Sequence, residues 1–291
     1  MNLDITRLHH TGHLVTDLTA GADRYRRLGF SVPAPVFPGI ESEDEPLRVI
    51  GAGNTRIAFP HNFIELIGLA GDRLPADATI APLSLTPQAK AAIEHTTRRL
   101  TDELATGQGM RVLAWQAADA DAVAARLTDT GVPHSGVIRL ERPGPDGEPV
   151  AVGYLELDAD GTSEGRLAIA EGNPAEVTTH PNGAIRLSEA VTCAEPTAPV
   201  VERYRRYLDR AAPDGVFELA ETSVWIATGD QIARRFDGYR PPPGFVGHLV
   251  AVTDLTETLD YLRANAIPVR HAATGEVFTE VDGCLVGFTR S

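Results

Sequence analysis

Cysteine, methionine and tryptophan each occur only twice in the 291 residues. The two thiols, Cys193 and Cys284, stand far apart, with no CxxC and no cysteine-rich spacing. That usage fits a reducing cytoplasm in which thiols serve as small buried hydrophobes; a single disulfide between them is the alternative. No apolar run approaches the ~20 residues of a membrane span. The N-terminus has no charged region followed by an apolar stretch, so no signal peptide is expected. Basic residues are the minority, 26 against 40 acidic, for a formal net charge of −14. Such a surface repels nucleic-acid phosphates and anionic membranes, and neither is expected as a partner. GxxxxGK[ST], GxSxG and a usable GxGxxG are missing as well, which argues against nucleotide-dependent and serine-hydrolase chemistry.

What is present is a normal folded composition, 43 % hydrophobic and 23 % charged, in a chain long enough for two domains. The most informative stretch is LHHTGHLVTDLTAGADRYRRLGF, residues 8–30. It reads as a strand over 8–16, a helix over 19–28 capped by Asp17 or Thr19, and a stop at Gly29. Strands near 30–33 and 46–51 and a hairpin from 55–59 and 62–68 complete a β-α-β-β-β unit. A second unit starts at VLAWQAADADAVAARLTDTGVP (112–133). It continues through a hairpin turned by Pro-Asp-Gly at 145–147 to the strand RLAIAEG (166–172). A third starts at AIRLSEAVTCAEP (184–196), with a helix near 197–211. The fourth, GHLVAVTDLTETLDYLRANAIPV (247–269), repeats the GHLV and TDLT text of the first. Four repeats of this size imply paired modules. The expected architecture is therefore α+β. Two modules joined by a linking helix at 87–107 form a domain over 1–175, and two shorter modules form another over 184–291. The boundary falls in the polar stretch 172–183, and a module pair closes a curved, half-barrel sheet.

These segments resemble the vicinal oxygen chelate, or glyoxalase-fold, superfamily, in its branch of glyoxalase-like domains. The carriers are the opening strand with its histidine before a DL-capped helix and LGF, the segment HNFIELIG (61–68), and HPNGA (180–184). The likeness covers nearly the whole chain. It implies a cavity that is metal-dependent or ligand-binding, and a chemistry that varies widely within the superfamily.

His10 and Glu65 are the leading site residues, since an imidazole and a carboxylate brought together inside a sheet can hold a divalent metal. Strand alternation places His9 and His13 on one face and His10 on the other. Glu65 lies in the apolar run FIELIGL and needs a partner there: a metal, an arginine or a proton. Glu171, closing the matching strand of module two, is expected to enter the same cavity as a third ligand. Glu65 and Glu171 are then the candidates for shuttling a proton. His180 is a third imidazole at the cavity mouth or a turn-stabilising residue, and His248 a rim candidate. By helix-cap spacing the counterparts of His10 are Val112, Ser188 and Gly247; His248 is one residue late, which turns it to the opposite face. The full set of two histidines and two glutamates found in metal-dependent glyoxalases is not evident. Trp115 and Trp225 read as core or cavity-lining residues. Arg56 and Arg139 are available to recognise a carboxylate or phosphate.

The function expected on these grounds is a cytoplasmic metal-dependent enzyme of lyase or isomerase type. It would act on a small oxygenated substrate through one divalent ion (Zn, Ni, Mn or Fe). The rival expectation is a metal-free protein of the same fold that binds or sequesters a small molecule. The C-terminal pair of modules is expected to be a structural or dimer-forming half; a homodimer and a single chain that completes its own sheets both stay open.

Overall fold

The structure, a computed structural model, describes residues 4–42, 45–71, 74–82, 87–143, 149–158, 161–172 and 178–291. The expected turn at 145–147 and part of the boundary stretch 172–183 lie outside the described residues. Module one comprises β1 (Ile5–Leu14), α1 (Leu18–Arg27), β2 (Val36–Ser42), β3 (Glu45–Val49), β4 (Ala52–Ala58) and β5 (Phe63–Leu69). A short β6 (Thr79–Pro82) and the linking helix α2 (Pro87–Thr106) follow. Module two is β7 (Gly109–Ala117), α3 (Ala120–Asp129), β8 (Ile138–Pro143), β9 (Pro149–Leu157) and β10 (Arg166–Ala170). Module three runs β11 (Ala184–Cys193), α4 (Ala198–Leu208), β12 (Val216–Leu219) and β13 (Thr222–Ala227), then α5 (Gly229–Arg235). Module four is β14 (Gly244–Val252), α6 (Leu255–Ala264), β15 (Arg270–His271), β16 (Val277–Val281) and β17 (Cys284–Arg290).

Modules one and two share a sheet of order β3-β2-β4-β5-β1-β7-β10-β9-β8, and β6 pairs with β2. Modules three and four share a second, β12-β13-β11-β14-β17-β16-β15. In each, the first strands of the two modules pair antiparallel at the centre. The strand expected at 30–33 does not form; pairing begins at Val36. Pro33 and Pro35 lack the amide hydrogens that a ladder requires.

The helix starts follow from local chemistry. Asp17, Asp119 and Asp254 each accept a hydrogen bond from an amide of the first turn, at Ala20, Ala122 and Thr256. Gly29 closes α1 with φ +87°, where a side chain would collide with Asn182 and Tyr261.

One core joins the helix-bearing faces of both sheets, from Tyr25 and Trp115 in the first half to Tyr204, Phe217 and Phe288 in the second. Trp115 meets Tyr204 edge-on at 5.3 Å, and Phe30 stacks on Phe288 at 5.9 Å. Buried Asn62 exchanges two hydrogen bonds with the backbone of Leu187 across the seam. The two halves thus press their helix sides together, and each sheet turns its other, concave face away. In the C-terminal half that face is filled: α5 lays Ile232 and, just beyond its end, Phe236 among Val191, Leu249, Phe278 and Leu285. The capping box between Thr228 and Gln231 starts this helix. Arg235 bridges Glu189 and Glu276 in the same packing.

Candidate active site

The site is assembled on the concave face of the N-terminal sheet, and two irregularities in β1 decide what reaches it. The β1–β7 ladder slips between Leu8 and His10 and again between Gly12 and His13. A bulge of this kind breaks strict alternation. His9 and His10 therefore lie side by side, Nδ1 to Nδ1 at 2.8 Å, while His13 turns to the opposite, inter-sheet side. The alternation expected from the sequence, which grouped His9 with His13, is corrected by these bulges.

Register fixes the rest. His10 pairs with Phe63 on β5 and Ala114 on β7; Gly12 pairs with Glu65 and Val112. Glu65 is opposite Arg56 on β4, and Arg7 opposite Gln116 on β7. The His10 ring stacks on Phe63 at 4.6 Å with an interplanar angle of 6°, and the Arg56 guanidinium lies 4.8 Å from the centre of that same ring. His10 Nε2 is 3.9 Å from Glu65 Oε2, in reach of an ion pair and longer than a hydrogen bond. Both side chains are mostly sheltered, at 11 % and 15 % exposure. The two Nδ1 atoms of His9 and His10 share one hydrogen bond, one ring donating and the other accepting. Glu65, His10 and His9 form a carboxylate–imidazole–imidazole chain.

Beside this chain lies a charged group that the sequence did not reveal. Arg166 donates to both carboxylate oxygens of Glu156, at 3.2 and 3.3 Å, and to the Tyr154 hydroxyl at 3.3 Å; Arg99 from α2 also pairs with Glu156. Burial raises the Tyr154 phenol above its ordinary value, with the charges of Glu156 and Glu65 adding to it. Burial likewise pushes the Glu103 carboxyl up, against the pull of Arg99, Arg166 and Arg111, and its Oε2 lacks a hydrogen-bond partner. Both Arg99 and Glu103 come from α2. That helix packs Leu100 and Leu104 on Leu14, Ile67 and Val112, at the end of the face beyond Gly12. The helix itself was legible at 87–107; which surface it covers was not.

The other expected site residues lie elsewhere. Glu171 follows the last residue of β10 and points to the helix side. It accepts from the Ala120 amide at 2.5 Å, at the start of α3, from the Gly153 amide at 2.9 Å and from Arg139 at 2.7 Å. Its expected place beside His10 and Glu65 is therefore corrected: it caps a helix. Arg139 is committed to Glu171 and Asp121. His180 accepts the Ser31 amide at 3.1 Å on Nδ1 and faces the Ala58 carbonyl at 3.0 Å with Nε2, between Phe30 and Phe59. With both nitrogens used by backbone it stabilises the turn, and burial lowers its pKa. His248 is fully buried in the seam between the sheets, away from the rim where it was a candidate. Trp115 is core, while Trp225 sits under Arg235 at 5.0 Å in the filled C-terminal face.

The donor set does not fit a resident metal. His10 presents Nδ1 to His9 and Nε2 to Glu65, on divergent sides of its ring, so the three do not converge on one point. The internal two-fold of the sheet, which matches Asp17 to Asp119, sends His10 to Val112 and Glu65 to Ala168, both apolar. Among the described residues no group of three or more His, Cys, Asp or Glu is placed to hold a metal ion.

The profile described as a glyoxalase-like domain matches residues 8–208. Solved structures share the fold at low identity. A hypothetical protein from Staphylococcus aureus aligns with TM-score 0.62 at 12 % identity, over 99 % of this chain and 100 % of that one. The Mn(II)-bound glyoxalase from Novosphingobium aromaticivorans gives 0.58 at 13 %, over 99 % and 82 %. A catechol 2,3-dioxygenase gives 0.53 at 14 %, over 99 % and 93 %. These likenesses establish the vicinal oxygen chelate fold. Comparison with curated protein sequences gives no match.

Proposed function

This chain belongs to the glyoxalase-like domain family, and on that premise we propose that the N-terminal concave face is the active site of a lyase- or isomerase-type enzyme acting on a small oxygenated metabolite. The observation that carries the reading is the Glu65–His10–His9 chain, with 3.9 Å between its first two members and 2.8 Å between its last two. A carboxylate in that setting acts as a general base toward a carbon next to a carbonyl. Glu65 takes the proton, and the electron pair of the broken C–H bond passes to the carbonyl oxygen. In a hydroxyketone that oxygen is then protonated, and return of a proton to the former carbonyl carbon with loss of the α-hydroxyl proton gives the isomer. Where the β-carbon bears a leaving group, its departure with that electron pair, restoring the carbonyl, gives the lyase outcome. His10, within ion-pair reach of the carboxylate, and His9 beside it are the adjacent proton store.

A second reading, metal-free binding without turnover, is favoured by one feature: the positions that the two-fold relates to His10 and Glu65 are the apolar Val112 and Ala168. Solvent exchange separates the two. A panel of small hydroxyketones and α-oxo acids is incubated with the protein in D₂O, and loss of the α-proton is followed by NMR. The wild type is expected to accelerate exchange for at least one compound, and Glu65→Gln to slow it by about 100-fold or more with the fold intact by circular dichroism. No acceleration by the wild type over buffer sinks the enzyme reading and leaves the binding protein.

A further inference from the structure

The concave face sets Arg7, Arg56, Arg99 and Arg166 against Glu65, Glu156 and Glu103, a positive surplus in a chain that is strongly negative overall. Glu156 lies between two guanidiniums, Arg99 and Arg166, and can neutralise only one of them. Glu103, the next carboxylate in the group, is biased toward its neutral form by burial. Arg7 and Arg56 are additional. Among the described residues neither makes a hydrogen bond or ion pair, and the Nε of Arg7 is shielded from water with no acceptor. An arginine does not lose its proton in a protein; the Arg7 Nε, shut away without an acceptor, is unfavourable until an anion arrives, while the half-buried Arg56 guanidinium rests on the Phe63 ring with its donors unused. Arg56 is the better placed of the two. It lies opposite Glu65 in the ladder and on the same Phe63 ring as His10, so a group held by Arg56 is beside the acid–base chain.

We propose that Arg56 anchors a carboxylate of the ligand, which makes the substrate class short-chain α-oxo or α-hydroxy acids. Arg7 and the Arg99–Arg166 pair supply the surrounding positive field. The inference rests on the reading of this face as the active site. Guanidiniums take the role that a metal would otherwise fill, countering the charge that develops on the substrate oxygens. Arg56 suits the task because its planar fork matches a carboxylate with two parallel hydrogen bonds.

Oxalate, a planar dianion with vicinal oxygens, and oxamide, its neutral counterpart, are the probes for calorimetric titration at low salt. Wild-type protein is expected to bind oxalate and not oxamide. Arg56→Ala should weaken oxalate by about tenfold or more, and Arg56→Lys by less, since a point charge replaces the fork. Glu65→Gln should retain oxalate, because it removes only the base. Thermal unfolding checks that each variant folds. Equal binding of the two probes, no binding of oxalate by the wild type, or unchanged affinity in Arg56→Ala overturns the proposal. If Glu65→Gln abolishes exchange while Arg56→Ala leaves oxalate untouched, the active-site reading stands and this inference falls. Arg56-dependent oxalate binding with no exchange on any substrate gives the reverse.

Discussion

Thr11 of β1 and His248 of β14 touch across the seam between the two sheets, hydroxyl oxygen to Nδ1, at 3.3 Å. Around them the seam is unexpectedly polar. His13 Nε2 faces the Asp282 carbonyl at 3.2 Å, which places the ring proton there and leaves Nδ1 to accept from the Tyr25 hydroxyl at 2.9 Å. Cys284 Sγ is 3.9 Å from His248 Nδ1, and His248 Nε2 lacks a partner among the described residues. His13 and His248 come from the repeated GHLV text of modules one and four. The most conspicuous repeat in the sequence therefore encodes the junction between the halves, and the site beside it belongs to module one alone.

That junction makes stability depend on pH. Burial pushes His13 down to about 4, helped by the charges of Arg111 and Arg24, and His248 down to about 3, helped by His13. Tyr25 and Cys284, the other titratable groups facing them, are pushed upward by burial and stay neutral in acid. Below pH 6.5 the unfolded chain binds protons that the folded one refuses, so stability falls as the pH falls. The slope is about 1 kcal/mol per pH unit for each imidazole, and it vanishes above pH 6.5. Urea unfolding at pH 7, 6 and 5 should show the decline, and His248→Leu should flatten it by about one imidazole's share. Parallel curves for variant and wild type would mean that His248 is not buried neutral.

Glu171 separates a structural carboxylate from a catalytic one. Glu171→Gln keeps the shape and removes the charge that receives the Ala120 amide and Arg139. The expected loss is about 1–3 kcal/mol of stability with no change in oxalate affinity or proton exchange. An activity loss of the Glu65→Gln kind at unchanged stability would return Glu171 to the cavity.

The sequence made the modules legible because their signals are local: an aspartate cap, a glycine stop, an apolar strand on either side. It also made the His10–Glu65 pair legible, as an imidazole on an opening strand and a carboxylate in the apolar run FIELIGL; the pairing of Phe63 with His10 belongs to the folded register. His9 was hidden by a bulge, and a bulge has no local spelling in HHTGH. Glu171 was misplaced by one residue of strand length: β10 ends at Ala170, and the next side chain turns to α3. Arg99 and Glu103 were out of reach because α2 finds its surface only in the folded chain.

Metal content tests the donor-set argument directly. Protein purified without a histidine tag or chelator is expected to carry far less than one equivalent of Zn, Ni, Mn or Fe, and EDTA should leave proton exchange unchanged. Divergent nitrogens on His10 and apolar residues at Val112 and Ala168 are the reason. Near-stoichiometric metal that is lost in both His10→Ala and Glu65→Ala would refute it.

Glu103 gives the last test, because its effect on stability runs opposite to that of the histidines. Its carboxyl is raised by burial, so the group is neutral in the folded protein at a pH where the unfolded chain has already lost the proton. Stability is therefore penalised as the pH rises above the ordinary glutamate range, and the penalty is absent below it. Glu103→Gln removes the titration and keeps the shape. It should raise the melting temperature at pH 7 and leave it unchanged at pH 4, read by circular dichroism. Equal melting temperatures at both values would mean that Arg99, Arg166 and Arg111 already hold Glu103 ionised. The positive surplus on the concave face would then be smaller by one charge, and the case for an anionic substrate would rest on Arg7 and Arg56 against the Glu65 carboxylate.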